Sequence, residues 1–527
     1  MEKSCQNCKQ AFEVDQEDQK YYQKNSLPLP TFCPTCRHLR RLAFRNERAL
    51  YPNTCALCKQ SIIAVFPKDT DFTVYCNSCW WSDKWDPMDY ATDYDPSQPF
   101  FSQYQKFTAK IPRLALYQDG TSENCQYTNY GLNNKNCYLA LGAFSQDCYY
   151  CHGMVSSKNC MDCFKVVSCE LCYQCIDCKN CYNLLFSKDC ISCSDSYFLA
   201  DCKNSKNCFL SAGLDNAQYV FENQQLTKEE YQKRLNAIEF TPENIQKFSY
   251  KLAALNLQVP KKAFNGSGNE NVTGNAIDSS KNLKQCYDAV TAQDSAYSYY
   301  FGLNSHDIYD ASYATGCEFC HEINGATAFN NCKFVYYGRH LSDCDYSQHC
   351  YNSSNLFACY GLNHKQYCIF NKQYSPEEYF ALREQIIADM RRSQEYGEFF
   401  PANTSDFAYN ESVAHEYAPL TEEQAAAKGL RWHHDEFKNS QSTPGAKSCR
   451  TCHRNFKIIS QESALYKKFK LPTPEICPEC RHKIRFVTRP PQTLHTRPCD
   501  HCQTPIQTTY TPERPEKVYC EDCYSKQ

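Results

Sequence analysis

Between Cys148 and Cys208 the chain carries thirteen cysteines, all in one register modulo three, with polar and aromatic residues filling the positions between them. "CYYC" at Cys148, "CELC" at Cys169 and "CISC" at Cys190 recur at a spacing of 21, and Cys160, Cys181 and Cys202 form a second series at the same spacing. The fixed return of one residue type predicts turns of strand that stack on one another. The pattern therefore predicts a β-solenoid of about 21 residues per turn. Small cysteine side chains fill its inside, "KN" and "KD" dipeptides sit at its corners, and the tyrosines beside the cysteines supply the large apolar area.

A second module follows the first. "GLDNAQYVFENQQLTKEEY" at Gly213 aligns without a gap on "GLNHKQYCIFNKQYSPEEY" at Gly361, an offset of 148 that also carries Cys169, Cys172 and Cys202 onto Cys317, Cys320 and Cys350. The second copy keeps fewer cysteines, with Gly338 and Leu341 in place of Cys190 and Cys193, which favours packing over ligation for these positions. Each copy ends in a helix signal: Thr227 with Glu230, and Ser375 with Glu378, are capping boxes. Behind them Tyr231, Leu235 and Ile238, and Tyr379, Leu382, Ile386, Ile387 and Met390, recur at helical spacing on one face. That face is expected to cover the open end of a solenoid, where strand edges would otherwise be bare.

The two ends of the chain repeat each other. Cys5, Cys8, Cys33, Cys36, Cys55, Cys58, Cys76 and Cys79 map, at an offset of 444, onto Cys449, Cys452, Cys477, Cys480, Cys499, Cys502, Cys520 and Cys523. Each unit reads C-x2-C-x24-C-x2-C-x18-C-x2-C-x17-C-x2-C. Two thiolates on a tight turn reach one tetrahedral ion, and two such turns complete its shell. Four pairs per unit thus predict two zinc sites, and four ions in the whole chain. Disulfides would need an oxidising compartment. "MEKSCQNCKQ" carries no secretory h-region, so a cytoplasmic location is expected. Spacing alone leaves open whether successive or alternate pairs share an ion.

"CQNCKQAFEVDQEDQKYYQKNSLPLPTFCPTCRHLRR" resembles the probable zinc-ribbon domain of many bacterial proteins: C-x2-C, an aromatic, an acidic stretch leading to Tyr, a Pro, and a closing C-x2-C-R. The resemblance implies that Cys5, Cys8, Cys33 and Cys36 share one ion, and Cys55, Cys58, Cys76 and Cys79 the next. "AFRNERALYPNTC" and "VYCNSCWWSDKWDP" extend the likeness, over nearly the whole chain, to uncharacterised cysteine-rich, paired-zinc-ribbon proteins of uncultured small-genome bacteria. Relatives of that group sometimes carry a CaiB/BaiF CoA-transferase label, which nothing in these residues supports.

The fold class predicted is mainly β with some α. Two zinc-ribbon pairs at the termini flank two tandem Cys/Tyr-rich β-solenoid-like repeat modules, each closed by an amphipathic helix. The chain divides into paired ribbons at 1–85, an acidic and aromatic strap at 86–119, repeat module 1 at 120–225 and a helical segment at 226–258. Repeat module 2 at 259–373, a helix at 374–397, a linker at 398–446 and paired ribbons at 447–527 follow.

Charge changes this picture locally. The net charge of the whole chain is −3, yet residues 447–527 hold fifteen Lys/Arg against eight Asp/Glu. After the second knuckle of the first unit, Arg37, Arg40, Arg41 and Arg45 surround Phe44, and Arg485 recurs in the C-terminal copy. Basic residues with an interleaved aromatic fit phosphates and a stacked base, and equally fit a solvated or ion-paired basic face. Trp80, Trp81 and Trp85 lie among aspartates in "WWSDKWDPMDYATDYDP", which lacks the calcium-loop spacing and reads as a strap whose rings pack on the first solenoid turn. His152 and His321, each beside a cysteine, are expected to pack rather than ligate.

No phosphate-binding loop, nucleophile elbow or metalloprotease motif occurs in the chain, so no enzyme and no small-molecule substrate is expected. No apolar run is long enough for a membrane span. The function expected is a zinc-binding, non-enzymatic scaffold or binding protein. In it the end ribbons present rigid surfaces held apart by the solenoids, and its target is nucleic acid, ribosome or protein. The alternative is an iron–sulfur or thiol redox protein built on Cys169, Cys172, Cys175, Cys178 and Cys181, whose spacing lacks the x3 step and the Pro of bacterial ferredoxins. Metallothionein-like zinc storage is a third reading.

Overall fold

The computed structural model describes residues 1–526 apart from 119, 166–168, 177–180, 303, 313–316, 319, 323, 326–328, 331–332, 336–338 and 435–444. Cys178 and Gly338 lie outside the described residues, as do the side chains of Cys317 and Cys320.

In the middle of the chain successive strands pair in parallel, and from Gln146 on each paired residue of the first ladder meets the twelfth one after it: Cys148 with Cys160, Cys160 with Cys172, Tyr197 with Phe209, Phe209 with Phe221. The second ladder keeps the same step over most of its length, as in Tyr287 with Tyr299, Leu341 with Ser353 and Leu356 with Cys368, with a step of eleven at Val272 with Leu283 and of thirteen at Ala296 with Tyr309. The chain thus returns to the same edge at every twelfth residue, not at every twenty-first. The physical reason lies in the corners. From Asn183 to Glu222 every third residue has a positive φ, between 46° and 69°, and His340 to Phe370 repeats the pattern. Each side is three residues long and four sides close a turn. Twelve and 21 are both multiples of three, so the spacing of cysteines could not choose between them.

The left-handed corners explain the "KN" and "KD" dipeptides, because Asp189, Asn204 and Asn207 stand there and short polar side chains tolerate this region. Where the step slips from eleven to twelve, between Val272 and Gly274, the chain uses Gly274. A Cβ there would lie 1.7 Å from the carbonyl oxygen of Cys286.

So short a side leaves a narrow interior, and the inward residues do more than fill it. Ser196 Oγ donates to the carbonyl of Ser194 at 2.7 Å and accepts from the amide of Cys208, one turn on, at 3.0 Å. Cys202 does the same with the carbonyl of Ala200 (3.2 Å) and the amide of Leu214 (3.5 Å). Ser187, Ser205, Ser280, Ser295, Ser347 and Ser353 likewise accept an amide from the next turn. Cysteine and serine are the small side chains that both occupy little space and satisfy a buried amide.

The outward residues are aromatic, and they carry the packing against other elements. Each ladder ends in a hairpin: Gln224–Gln225 folds back antiparallel on Val220–Phe221, and Lys372–Gln373 on Gln366–Ile369. The hairpin pairs with the terminal strand and the following helix packs beside it, Tyr231 meeting Tyr219 at 5.9 Å and Tyr379 meeting Tyr367 at 5.8 Å. The capping boxes of Lys228–Asn236 and Pro376–Arg392 form as expected. Other helical residues lie along the flanks of the ladders. Phe248 of Pro242–Gln258 meets Phe198 and Phe209 edge-on at 5.4 and 5.2 Å, and Tyr379, Ile386, Ile387 and Met390 join Tyr346, Phe357 and Phe370 in one core.

The strap also departs from expectation. Its rings pack on the last turns of the second ladder: Trp80 lies against Gly361, Trp81 meets Tyr351 at 4.8 Å, and Tyr94 stacks on Phe370. Asn371 Nδ2 donates to the Pro87 carbonyl at 2.8 Å, and Thr92 N to the Phe370 carbonyl at 3.2 Å, fixing the strap on that surface.

If inward hydroxyls and thiols are interchangeable amide acceptors, Ser196→Cys is expected to keep stability within about 1 kcal/mol. Ser196→Ala, which strands the amide of Cys208, should cost about 1–3 kcal/mol. Equilibrium denaturation of the full chain measures both.

Candidate metal centres

The four cysteine quartets form locally and in the same way. Each begins with a hairpin knuckle: the amide of Cys5 donates to Gln10, Cys55 to Gln60, Cys449 to Arg454 and Cys499 to Thr504, all at 2.8–2.9 Å. The residue after the second cysteine takes a positive φ in all four, at Lys9, Lys59, His453 and Gln503. The second pair of each quartet opens a helix whose N-cap is Cys33, Cys76, Cys477 or Cys520. A helix N-terminus favours a thiolate.

These elements bring Cys5, Cys8, Cys33 and Cys36 together, then Cys55, Cys58, Cys76 and Cys79, Cys449, Cys452, Cys477 and Cys480, and Cys499, Cys502, Cys520 and Cys523. In each group all four sulfurs lie within 4.8 Å of one another. Successive pairs therefore share a site, and the cross-braced arrangement is excluded. Sulfurs of the two pairs approach to 3.8 Å at Cys8–Cys33 and Cys58–Cys76, 3.6 Å at Cys452–Cys477 and 3.8 Å at Cys502–Cys520. A tetrahedron of sulfurs about 2.3 Å from one ion has edges of about 3.8 Å, so the groups fit a metal ion without rearrangement.

The backbone supports the negative charge that such an ion needs. Amides of Cys33, Cys76, Cys477 and Cys520 point at the sulfurs of Cys5, Cys55, Cys449 and Cys499 at 3.2–3.3 Å. Burial works against the thiolate of Cys55, but the amides of Cys76, Cys58 and Leu57 bring its pKa down to about 6. Cys449 reaches about 6 in the same way, with the amides of Cys452, Cys477 and Thr451 overcoming burial. All the quartet cysteines are free thiols.

The basic residues next to the knuckles are placed quite differently from a nucleic-acid surface. On the helix Pro34–Leu42, Arg37 Nε lies 2.9 Å and Arg41 Nη1 3.3 Å from Oδ1 of Asp310 in the second ladder, and all three side chains are buried. Arg40 pairs at 2.6 Å with both Glu322 and Glu398. Phe44 is buried edge-on to Phe399 at 5.4 Å. Arg45 is buried, pairs with Glu47 and lies over the ring of Tyr130 at 3.8 Å. In the C-terminal copy, Arg481 and Arg485 of the helix Pro478–Phe486 reach Asp162 of the first ladder at 2.8 and 2.9 Å. Arg37, Arg40, Arg41, Phe44, Arg45 and Arg485 are thus closed to phosphates and bases, because carboxylates and rings of the ladders, together with Glu47, Glu398 and Phe399, already hold them.

The docking is crossed and it repeats. Asp310 is Asp162 carried by the offset of 148, just as Arg481 and Arg485 are Arg37 and Arg41 carried by 444. Through these pairs the N-terminal unit docks on the second ladder and the C-terminal unit on the first. Tyr297 donates to Asp18 at 2.9 Å, and Tyr150 to Glu462, the equivalent of Asp18, at 2.8 Å. Val74–Tyr75 pairs in parallel with Arg113–Leu114, as its copy Val518–Tyr519 pairs with Lys261–Lys262. Arg48 of one unit meets Glu479 of the other at 3.1 Å, so the ribbons are not held apart. Burial opposes ionisation of Asp310, but Arg37 and Arg41 keep its carboxyl below the usual carboxylate range.

The two flagged histidines pack, as expected. His152 Nε2 sits 2.6 Å from Glu47 and stacks on Phe164, while His321 meets Tyr22 edge-on at 5.6 Å. His321 also lines a polar cleft of about 390 Å³ with Lys24, Asp343, Asp345 and Arg383. The cysteine-to-arginine spacing on both helices, with an aspartate 148 positions apart in the two modules, was the signal for the docking pairs in the sequence.

Removing Asp310 leaves the buried guanidinium groups of Arg37 and Arg41 without their shared counter-charge, so Asp310→Asn is expected to cost about 3–5 kcal/mol, and Asp162→Asn is expected to cost less because Arg481 keeps Glu462 at 3.1 Å. Thermal unfolding monitored at both ends of the chain should show the loss at the N-terminal unit for the first and at the C-terminal unit for the second. A comparison with family models, curated proteins and solved structures finds no match to the chain.

Proposed function

We propose that the protein is a zinc-organised, non-catalytic scaffold, in which four zinc ions fold the terminal ribbons and the ribbons clasp two tandem β-solenoids. The observation that supports this is the continuity from ligand to clasp. Cys33 and Cys36 open the helix that carries Arg37 and Arg41, and Cys477 and Cys480 open the one that carries Arg481 and Arg485. An ion that fixes the start of each helix fixes the arginines one turn later. Four thiolates in a closed shell suit structural zinc, which supplies folding free energy and leaves no open position for a substrate. Protein is the partner class this reading keeps, since the side chains that would have met nucleic acid are buried. Among the described residues no helix is long and apolar enough to cross a membrane.

Metal analysis of the purified full chain is expected to give four zinc ions, and three after either Cys33→Ser or Cys477→Ser. Binding of this kind contributes about 10–16 kcal/mol per site at neutral pH. Chelation under reducing conditions should therefore raise hydrogen exchange in the ladder faces around Tyr150 and Tyr297, where the ribbons sit. Iron in place of zinc, or unchanged exchange after complete zinc removal, would overturn the proposal.

A further inference from the structure

The first ladder holds a further group of sulfurs that the four ribbon sites do not use. Sγ of Cys169, Cys172 and Cys181 lie within 4.8 Å of one another, and all three residues are buried. Cys169 and Cys172 come from one turn of the ladder and Cys181 from the next, stacked on Cys169 in the register that pairs Glu170 with Tyr182. Cys160, Cys163 and Cys175 surround them, also buried.

Packing does not account for this concentration of sulfur. Serine performs the same inward role at Ser145, Ser157, Ser187, Ser196, Ser205 and Ser211, donating to the carbonyl two residues back and, at most of them, taking an amide from the next turn. In the second ladder the inward positions from Ser280 to Ser298 are Ser, Leu, Cys, Ala, Ala, Ser and Ser. From Cys160 to Cys181 every described inward residue of the first ladder is instead cysteine. A hydroxyl takes the same inward place elsewhere in this ladder, so an unbroken run of thiols supplies something a hydroxyl lacks. That property is softness towards a thiophilic cation.

We propose that Cys169, Cys172 and Cys181 bind one Cu(I) ion inside the first ladder, in addition to the metal of the terminal quartets. Sulfur-only donors shut away from water suit a soft monovalent ion. Binding is an exchange without electron transfer: copper–sulfur bonds form, thiol protons leave to solvent, and copper enters and stays as Cu(I).

The test is an anaerobic titration of the zinc-loaded full chain with Cu(I), buffered by a chromophoric Cu(I) chelator, with copper and zinc both counted per chain. The parent is expected to take up one copper while keeping its four zinc ions. Cys172→Ser, a substitution that the inward serines show the ladder accommodates, should lose that copper with zinc content and melting temperature unchanged. Cys208→Ser, further along the same ladder, should bind copper like the parent. Copper uptake only in exchange for zinc, no uptake at all, or a Cys172→Ser variant that holds copper as the parent does would overturn the proposal. Zinc content is read independently, so failure here is distinguishable from failure of the scaffold reading.

Discussion

The constraint on which the rest of this structure depends is the three-residue side of its ladders. A twelve-residue turn encloses a narrow interior, and the amide of an inward residue points into it with no strand partner. The turn before must supply an acceptor on a small side chain, and cysteine and serine do so. Large apolar side chains cannot mostly be housed inside, so many stand outside, where they need something to cover them. Tyr149, Tyr150 and Tyr173 find it in Leu465 and Tyr466 of the C-terminal ribbon unit, and Tyr309 finds it in Tyr21, stacked at 3.5 Å. A ladder this narrow is thus completed by the ribbons that lie on it.

Burial of the docking pairs follows from the same arrangement. The ribbons cover aromatic faces, which excludes water from the arginines at their centre, and an arginine buried there is tolerated only against a carboxylate. Asp310 and Asp162 each hold two guanidinium groups, and each lies on the ladder belonging to the other half of the sequence. The crossing ties distant parts of the chain together: residues near 40 meet residues near 310, and residues near 480 meet residues near 160. Lys165 and Asp288 link the two ladders directly.

What the sequence shows and what it hides divide along physical lines. The ligand quartets are legible because a metal site needs fixed residue types at fixed spacing, and the duplication at an offset of 444 removes chance as an explanation. Spacing does not say which knuckles meet. That is decided by the hairpins and helix starts that place Cys33 beside Cys8 and Cys76 beside Cys58. The period of three in the cysteines is the length of a ladder side and is visible, whereas the number of sides per turn depends on the corner dihedrals and is not. The basic stretch after Cys36 misleads for a related reason. A run of arginines around Phe44 has the composition of a phosphate-binding surface, and the carboxylates that bury it, Asp310, Glu322 and Glu398, lie far along the sequence.

The whole arrangement turns on whether the terminal quartets hold zinc in closed sulfur shells, since the helices that carry the docking arginines begin at those shells. X-ray absorption at the zinc edge of the purified full chain measures this directly. Four sulfur neighbours per zinc at about 2.3 Å, and no nitrogen or oxygen ligand, are the expected result. A mixed sulfur and nitrogen or oxygen shell, or zinc present with fewer than four sulfurs on average, would contradict it.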